Sequence, residues 1–460
     1  MSEASAPALN GASTSGDPGH SDDNPVVPLV SPAYRSYALV VLLAVYTVNF
    51  LDRQVVTILA EPIKNDLHIL DWQIGLMTGF AFAVFYTVLG LPIARLAESF
   101  NRVWIIAASL TVWSGFTIAC GSAANFFQLI LARVGVGVGE AGCTPTSHSL
   151  ITDYVPKDKR ASALAFFSIG TPLGGLLGTS LGGIMSDTFG WRTAFLLAGL
   201  PGLILTLVVL ATLKEPRKQI AADAVRHVPG KGHFGATLKY LSAKRTFWFV
   251  SFAAATQAFI GYGNGPFVAS FYFRNHGAEV AGLAADFGLK SAGFLGLALG
   301  LLGGIAGIAS SWAGGWLADR AAKRDLRAYM TVPAIAAVIS PIFAWGVYLN
   351  PTAIGALATM IIPGLLGSLW YGPVYASAQG LVPPHMRATA ASLLIFIINI
   401  IGLGLGPVAV GALSDILAGP MHMGTADGVR WALIASSTGT LVAAYLFWQA
   451  RKTIREEMVS

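Results

Sequence analysis

Four ionisable side chains lie inside long apolar runs, where charge is costly: Asp52, Arg53, Arg133 and Glu140. A charged side chain at the centre of a bilayer costs about 2.5–3.5 kcal/mol on insertion scales. Four of them would cost on the order of 10 kcal/mol if they stayed unpaired. We therefore expect them to pair or to face water. Charges inside a membrane usually mark a path for a solute or an ion, and the alternative is a buried salt-bridge network that only positions helices.

The spacing of these residues limits how they can pair. Asp52 and Arg53 are neighbours, so their side chains point about 100° apart on a helix and cannot form an ideal local pair. Arg133 and Glu140 are seven residues apart in the sequence, which places them two turns apart on one helical face. His148 follows two turns later, and we expect it to hydrogen-bond near the membrane boundary, with a proton relay as the alternative.

The elements that carry these residues are predicted to be membrane-spanning helices. The 460-residue chain has a mean hydropathy of +0.64 and only 11% charged residues, whereas soluble domains carry about 25%. Apolar runs of spanning length alternate with short polar breaks from Tyr37 onward. We predict an all-α membrane protein with twelve transmembrane helices, at residues 36–60, 72–96, 103–123, 125–151, 160–186, 192–213, 246–273, 291–318, 329–349, 352–381, 388–415 and 430–450.

The basic residues predict an orientation. With the N-terminus inside, 22 Lys and Arg residues fall in cytoplasmic segments and 5 on the opposite side, while Arg53 and Arg133 lie within spans. This ratio is a strong positive-inside signal and predicts that both termini are cytoplasmic. It also explains the net charge of +6 without a nucleic-acid partner. The absence of a long N-terminal targeting segment suits a multi-pass protein of the bacterial inner membrane.

The chain divides into two similar halves. We predict a disordered tail at 1–33, a six-helix bundle at 34–213, a cytoplasmic linker at 214–245, a second six-helix bundle at 246–451 and a C-terminal tail at 452–460. Two sequence patterns recur at offsets of 227 and 228 residues, which indicates structurally equivalent bundles. They are Val155-Pro156 with Arg160-Ala161, which recurs as Val382-Pro383 with Arg387-Ala388, and Gly183-Ile184-Met185-Ser186-Asp187, which recurs as Gly411-Ala412-Leu413-Ser414-Asp415.

Several motifs resemble those of the major facilitator superfamily. Gly315-Trp316-Leu317-Ala318-Asp319-Arg320, followed by Lys323-Arg324, matches the family's loop signature. The first-half copy is degraded, since Ala94, Glu98 and Ser99 replace its Gly, Asp and Arg while Arg102 is retained. Arg133 with the glycines that follow it resembles the family's arginine motif, and Gly170-Thr171-Pro172-Leu173-Gly174-Gly175 its Gly-Pro-Gly-Gly motif. The runs Asn49 to Arg53 and Arg133 to Ala141 resemble Spinster-like transporters, a family associated in eukaryotes with lysophospholipids and sphingosine-1-phosphate.

The resemblance implies a secondary transporter that works by alternating access, with spans 1, 4, 7 and 10 around a central cavity. Arg53 is then expected to meet Glu140 across the cavity or to bind an anionic solute. A motion that separates the pair would make Glu140 take up a proton, and Asp52 is a second candidate for proton coupling. The residues expected to act in structure and gating are Arg133, Glu98, Arg102, Asp319, Arg320, Arg324, Arg160 and Pro172, with Asp319 capping the helix that begins near Arg160.

The second half offers a different wall. Its inner spans lack central charges but carry Tyr262, Asn264, Phe267, Trp370, Tyr371 and Tyr375, which are candidates for solute binding. A cavity charged on one wall and aromatic on the other suits an amphipathic anionic solute of the lysophospholipid or sphingoid-phosphate type. The alternatives are a proton symporter of sugar acids or other organic anions, a drug exporter, a passive channel, and an acyltransferase using His148 and Asp153.

Other signals predict no enzyme. The chain lacks a Gly-x4-Gly-Lys-Ser/Thr phosphate loop and zinc-ligand spacing, and Cys120 and Cys143 fall in apolar stretches, so we expect no cofactor or metal. The expected partners are the solute, protons and membrane lipid, and the chain is expected to act as a monomer. Gly261-Tyr262-Gly263-Asn264-Gly265-Pro266 and the run from Gly364 to Pro373 are expected to kink or interrupt their helices.

Overall fold

The structure is a computed structural model that describes residues 31–156, 159–216 and 233–459. All regular elements in these ranges are helical, and they contain no strand. The prediction of an all-helical fold is therefore confirmed. Most of the predicted tail and half of the predicted linker lie outside the described residues.

Ten helical segments in the described ranges are long and apolar enough to cross a membrane. One of them, Ser162–Thr212, is broken at Gly190, where φ is 84° and ψ is 162°. The 31-residue helix Arg245–Asn275 is not one of the ten, although its length of about 46 Å exceeds a hydrocarbon core of about 30 Å. The predicted number of twelve spans stays a prediction.

The described residues of the first part of the chain form eight α-helices, and a π-helical segment, Leu76–Phe80, joins the second to the third. They are α1 (Pro32–Leu67), α2 (Asp71–Gly75), α3 (Ala81–Ser99), α4 (Arg102–Gly121), α5 (Phe126–Glu140), α6 (Cys143–Tyr154), α7 (Arg160–Ser168) and α8 (Gly170–Thr212).

From residue 233 to residue 459, the second part has eleven α-helices, and a π-helical segment, Ile398–Leu405, joins the eighth to the ninth of them. They are α9 (His233–Ser242), α10 (Arg245–Asn275), α11 (Gly277–Asp286), α12 (Ser291–Ala322), α13 (Ala328–Tyr348), α14 (Ala353–Gly367), α15 (Tyr371–Gly380), α16 (Arg387–Ile397), α17 (Gly406–Ala418), α18 (Gly424–Thr438) and α19 (Thr440–Glu457).

Polar side chains cap the helix starts. Ser31 Oγ accepts from the backbone N–H of Tyr34, and Pro32 occupies the first turn, where its missing N–H costs nothing. Asn101 and Asn125 cap α4 and α5 in the same way. Because α1 begins at Pro32, the helical region starts slightly before the predicted bundle boundary.

Glycine brings α1 and α8 into close contact. A Cβ atom on Gly174 would lie 2.4 Å from the carbonyl oxygen of Thr47, and one on Gly178 would lie 2.6 Å from that of Leu51. Small residues allow such backbone approaches between helices in lipid. The contact holds one face of α1 against α8, so the opposite face of α1 is the one that can contact other parts of the molecule.

The predicted linker is partly helical. Helix α9 lies within it and packs on α10 and α16. Leu241 of α9 is buried, and its carbonyl oxygen accepts from Trp248 Nε1 at 3.1 Å. The described end of the linker therefore belongs to the second part of the molecule, while the predicted domain boundaries remain predictions.

The two glycine-rich runs behave differently. Helix α10 continues through Pro266, so the expected interruption there is wrong, while a kink at this position stays a prediction. The expected break before Pro373 is confirmed, because α14 ends at Gly367 and α15 starts at Tyr371. The freed backbone N–H of Ser368 donates to Ser310 Oγ at 3.0 Å, which supplies the partner that a broken helix needs away from water.

The helix ends form two groups. We call the end that holds Pro32, Tyr154, Arg245 and Glu457 the terminal end, and the opposite end the distal end. The distal end holds Leu67, Gly190, Asn275, Lys290 and Ala418.

Candidate functional site

A cavity of about 410 Å³ lies between the two parts of the chain. Helices α1, α3, α5, α10 and α12, both π-helical segments, the α14–α15 break and the first turn of α17 all contribute to its wall. Its polar and aromatic lining residues are Phe50, Arg53, Gln54, Thr57, Thr78, Phe82, Arg133, Gln257, Tyr262, Ser368, Trp370 and Tyr371.

One face of α1 supplies Phe50, Arg53, Gln54 and Thr57 to the cavity, at the spacing of successive helical turns. Asp52 points elsewhere and is fully buried, and its Oδ2 accepts from Thr117 Oγ1 of α4 at 3.2 Å. The two neighbouring charges therefore have different surroundings, as their angular separation predicts.

Arg53 contacts Glu140 and three aromatic rings. Its Nε donates to Glu140 Oε2 at 2.5 Å, which is one of the two expected arrangements. The guanidinium carbon lies 5.0, 4.8 and 4.4 Å from the ring centres of Phe50, Phe82 and Tyr86, within cation–π range. The Arg53 side chain is 15% exposed and that of Glu140 is 0% exposed, so the arginine lies between the cavity and the carboxylate.

Arg133 reaches the cavity from α5. Its guanidinium carbon lies 5.6 Å from the Phe82 ring centre. A Cβ on Gly137 would lie 2.7 Å from the Phe82 carbonyl oxygen, so glycine allows α5 to approach α3 closely here. The Nε and Nη1 atoms of Arg133 and the Nη2 atom of Arg53 are buried and have no hydrogen-bond acceptor among the described residues. Buried donors without partners are costly unless a ligand supplies the acceptor.

The lining is electropositive. Two arginines and, in the described part of the chain, no carboxylate line this cavity. Asp52 and Glu140 lie behind the wall and are fully buried. Of the four charges expected to pair or to face water, the two arginines line the cavity and Glu140 pairs with Arg53, whereas Asp52 faces α4.

The opposite wall is aromatic and also polar. Trp370 and Tyr371 stack with ring centres 4.0 Å apart, and Tyr262 joins them. Gln257 and Ser368 add polar groups to the same wall. The wall therefore offers hydrogen-bonding groups as well as aromatic surface.

Three predicted binding residues lie outside the lining. Asn264 Nδ2 donates to Ser437 Oγ at 3.2 Å, so its amide joins α10 to α18. Phe267 packs in the core beside Gly411. Tyr375 stacks behind Tyr371 at 6.4 Å.

Sequence reasoning missed Gln54, Thr57, Thr78 and Ser368, whereas Gln257 was among the polar groups that the sequence placed on the inner spans of the second half. Helical spacing offered a signal for Thr57, because it follows Arg53 by four residues. Ser368 lies in a helix break, and Thr78 lies in a π-helical segment that shifts the helical register.

Three of the predicted gating residues bond partners within their own part of the molecule. Arg102 is fully buried and bonds Glu215 at 2.5 Å and Asp153 at 2.7 Å. Asp319 accepts from the Tyr329 hydroxyl at 2.9 Å, and Arg160 Nε donates to the Val155 carbonyl oxygen at 3.2 Å.

Four other predicted residues complete this set. The guanidinium of Arg320 lies 5.7 Å from the Trp316 ring centre. Arg324 lies in the turn after α12, and the Pro172 carbonyl oxygen would lie 3.7 Å from a Cβ on Gly304. The side chain of Glu98 lies outside the described part of the structure.

The acyltransferase alternative gains no geometric support. The His148 ring packs edge-on against Phe167, with ring centres 5.3 Å apart. Asp153 bonds Arg102, whose other partners include Ser149. His148 and Asp153 therefore have separate partners.

A second polar cluster joins the two parts at the distal end. Arg274 of α10 bonds Glu61 and Asp71, each at 2.8 Å. Lys64 also bonds Asp71 at 2.5 Å, and Ser414 Oγ donates to Asp71 Oδ2 at 2.7 Å. We call these residues, together with the two aspartates described next, the distal latch.

The repeated Gly-x3-Asp patterns form the rest of the distal latch. Asp187 Oδ2 accepts from the Gly293 N–H at 2.6 Å, at the start of α12. Asp415 accepts from the N–H groups of Asp71 and Trp72 at 3.1 and 2.8 Å, at the start of α2. Each aspartate thus caps a helix in the other part of the molecule.

The glycine of each pattern permits that contact. A Cβ on Gly183 would lie 2.1 Å from the Ala292 carbonyl oxygen, and one on Gly411 would lie 2.3 Å from that of Asp71. Separations below 3.0 Å exclude a side chain unless the backbone moves. The sequence repeat therefore encodes two equivalent contacts across the molecule.

Comparisons with known proteins agree with this architecture. The family model described as Major Facilitator Superfamily matches residues 42–407. The solved structure of a bacterial homologue of the human lysosomal transporter Spinster, inward-facing and unoccupied, is 30% identical, with a TM-score of 0.83 over 94% of this chain and 100% of that one.

Two curated relatives carry different activities in their names. An MFS-type efflux pump of Mycolicibacterium smegmatis is 32% identical over 92% of this chain and 95% of its own length. A hexuronate transporter of Bacillus subtilis is 25% identical over 80% of this chain and 85% of its own. These relatives support the architecture and leave several classes of solute open.

Proposed function

This chain belongs to the major facilitator superfamily and is a multi-pass transporter of the Spinster type, and from that premise we propose that it couples the movement of an anionic, amphipathic solute to protons. The observation that carries the proposal is the pair of arginines. Arg53 and Arg133 present three buried N–H donors without acceptors in a cavity whose described lining contains no carboxylate. An anionic head would satisfy these donors.

The Arg53–Glu140 pair supports a coupling mechanism. An anionic head that attracts Arg53 competes with Glu140 for the same guanidinium. Once Arg53 moves, Glu140 is a buried carboxylate without its partner, which is unfavourable unless the carboxylate takes up a proton. Solute and proton therefore bind together, and the loss of either restores the ion pair. Asp52 is a second proton site in the same bundle.

The distal latch supports alternating access. It joins the two parts of the molecule at one end, whereas Asp319 bonds Tyr329 within its own part. We propose that this structure is the inward-facing state and that both termini are cytoplasmic. We also propose that the segment broken at Gly190 forms two spans and that α10 forms another, which gives twelve spans in two six-helix bundles of the inner membrane. Release of the distal latch would expose the cavity to the other side.

The aromatic wall supports an amphipathic solute. Tyr262, Trp370 and Tyr371 offer apolar surface for a tail opposite the arginines. Gln257 and Ser368 favour a second candidate, a sugar acid or other small organic anion, because such a solute needs polar partners on both walls. We propose a transporter and not an acyltransferase, and the proposed mechanism uses no cofactor or metal.

The test is solute uptake by proteoliposomes with an imposed pH gradient. A lysophospholipid and a hexuronate are offered separately, with a lysolipid of neutral head as the matched control. We expect uptake of the anionic lysolipid to depend on the pH gradient and on Arg53. Uptake of hexuronate alone would replace the amphipathic solute with the second candidate, and equal uptake of the neutral lysolipid would overturn anion recognition.

Glu140→Gln separates coupling from binding. The variant keeps the shape of the side chain and cannot ionise. We expect gradient-driven accumulation to fall by at least tenfold while solute exchange without a gradient continues. Undiminished dependence on the pH gradient would remove Glu140 from the mechanism. Glu279→Gln, at a partly exposed carboxylate in α11, is the matched control.

A further inference from the structure

Helices α13 and α19 form an apolar groove of about 370 Å³ on the outer surface of the second part of the molecule. Ala334 and Ala444 are almost fully buried and form its floor. Larger, mostly exposed side chains form its sides: Ile335, Val338, Ile339, Leu441, Tyr445 and Trp448. The groove is separate from the central cavity, which is lined by none of these residues.

A polar bridge closes the groove at each end. At the terminal end, Arg451 Nε of α19 donates to Thr331 Oγ1 of α13 at 3.0 Å. At the other end, Trp345 Nε1 donates to Thr438 Oγ1 at 3.0 Å. The residues that line the groove between these bridges run from Ala334 to Ile339 on α13 and from Leu441 to Trp448 on α19, so the groove is about 10 Å long.

The terminal end of the groove is cationic. The Arg451 guanidinium carbon lies 4.6 Å from the Trp448 ring centre, and its described contacts include no carboxylate. Arg327 lies one turn before Thr331, and its buried Nε has no acceptor in the described part of the chain. Trp448 and Tyr445 supply the aromatic groups that favour the membrane interface.

We infer that this groove binds one anionic phospholipid, with an acyl chain along the alanine floor and the phosphate at Arg451. Basic pockets between transmembrane helices commonly hold lipid head groups of this type. The charge complements an anionic head. The alanine floor and the larger apolar sides leave about 370 Å³ for part of an acyl chain. A second copy that contacts this groove through the same surface would bring a second positive charge to the same end, which favours an anionic lipid as the occupant.

Native mass spectrometry of the full-length protein tests this site. The probes are phosphatidylglycerol and phosphatidylcholine with identical acyl chains. We expect one phosphatidylglycerol to bind more tightly than phosphatidylcholine. Arg451→Gln should weaken phosphatidylglycerol binding about fivefold, the effect of one basic residue near the surface. Lys452→Gln, its exposed neighbour, removes the same charge outside the groove and should have a smaller effect.

Ala444→Leu fills the floor and should remove the binding of both lipids at this site. Thermal unfolding without added lipid shows whether Ala444→Leu folds. If it does not, Trp448→Ala replaces it in the binding measurement, because this variant removes one side of the groove. Equal binding of the two lipids, an equal effect of Lys452→Gln and Arg451→Gln, or unchanged binding in the filled groove would each overturn the proposal. So would a protein dimer that Ala444→Leu dissociates, because a second copy would then be the occupant.

Discussion

At the scale of single residues, Arg53 is held by forces of different kinds. Its ion pair with Glu140 is short and buried on one side, and three aromatic rings surround its guanidinium. A buried charge pair stabilises little, because desolvation offsets the attraction, but loss of one partner is strongly unfavourable. Arg53 is therefore easily shared with an incoming anion, while its removal would leave Glu140 unpaired.

Arg133 differs from Arg53 because two of its buried donors, Nε and Nη1, have no acceptor among the described residues, whereas Arg53 has one such donor, Nη2, and bonds Glu140. We predict that Arg133→Gln weakens solute binding about tenfold or more, since a hydrogen bond to a charged group contributes about 1.5–3 kcal/mol. Arg133→Lys should also weaken binding, because lysine keeps the charge and loses the planar fork of donors. The measurement is titration of the purified variants with the solute that passes the uptake test.

The matched control for Arg133 is Arg192→Gln. Arg192 bonds the exposed Asp66 at 2.5 Å, at the distal end and away from the cavity. Its loss should leave solute affinity within about twofold of the wild type, as is usual for exposed ion pairs. Equal losses in both variants would mean that Arg133 acts on stability and not on the solute.

At the scale of elements, the distal latch depends on helix ends as much as on ion pairs. Asp187 and Asp415 each bond the first amide groups of a helix in the other part, where the helix dipole favours negative charge. The close approach at Gly183 and Gly411 brings those helix ends within reach. Two such contacts at equivalent positions hold the distal ends together on both sides of the cavity.

We predict that Asp415→Asn shifts the population towards an open distal end. The substitution replaces charge-assisted bonds to Asp71 and Trp72 with weaker neutral ones, which we expect to move the equilibrium about tenfold. Spin labels at exposed Thr188 and Phe287, on different parts of the molecule, report the separation of the distal ends. The distance distribution should gain a longer component.

The controls for the distal latch use the same pair of labels. Gly411→Ala should act in the same direction, because its Cβ meets the Asp71 carbonyl oxygen. Asp427→Asn removes a half-exposed carboxylate that bonds Arg430 within α18, and it should leave the distances unchanged. Identical distributions in all variants would show that the ends are held by other contacts.

The elements also show what the sequence could predict. Apolar runs located most helices, because a span needs about 20 apolar residues whatever it contacts. Arg53 and Arg133 were predictable because charge inside a membrane is costly. The continuity of α10 through Pro266 was not predictable, because it depends on how the neighbouring helices pack against the proline. The glycine-rich run predicted the break before Pro373, but not that Ser310 supplies the hydrogen-bond partner of Ser368. The sequence also did not predict that Arg274 and Asp71 belong to the distal latch, because their contact depends on how distant helices pack.

At the scale of the whole molecule, charge is sorted by position. The arginines of the cavity are few and buried, whereas the remaining basic residues gather at the helix ends and favour the terminal end. The positive-inside rule makes this asymmetry an orientation signal that does not depend on the solute. The orientation determines to which side of the membrane the cavity opens. It also determines which leaflet the α13–α19 groove faces and on which side the distal latch opens.

We predict that the terminal end is cytoplasmic, and single cysteines test it. Cys120 and Cys143 are fully buried, so added cysteines dominate labelling. Phe287→Cys, at a side chain that is 71% exposed near the distal end, should react in intact cells with a maleimide that does not cross the membrane. Lys323→Cys, in the turn after α12, should react only after the cells are opened. The reverse pattern would invert the molecule in the membrane, and with it the inward-facing assignment, because the same contacts would then close the cytoplasmic side.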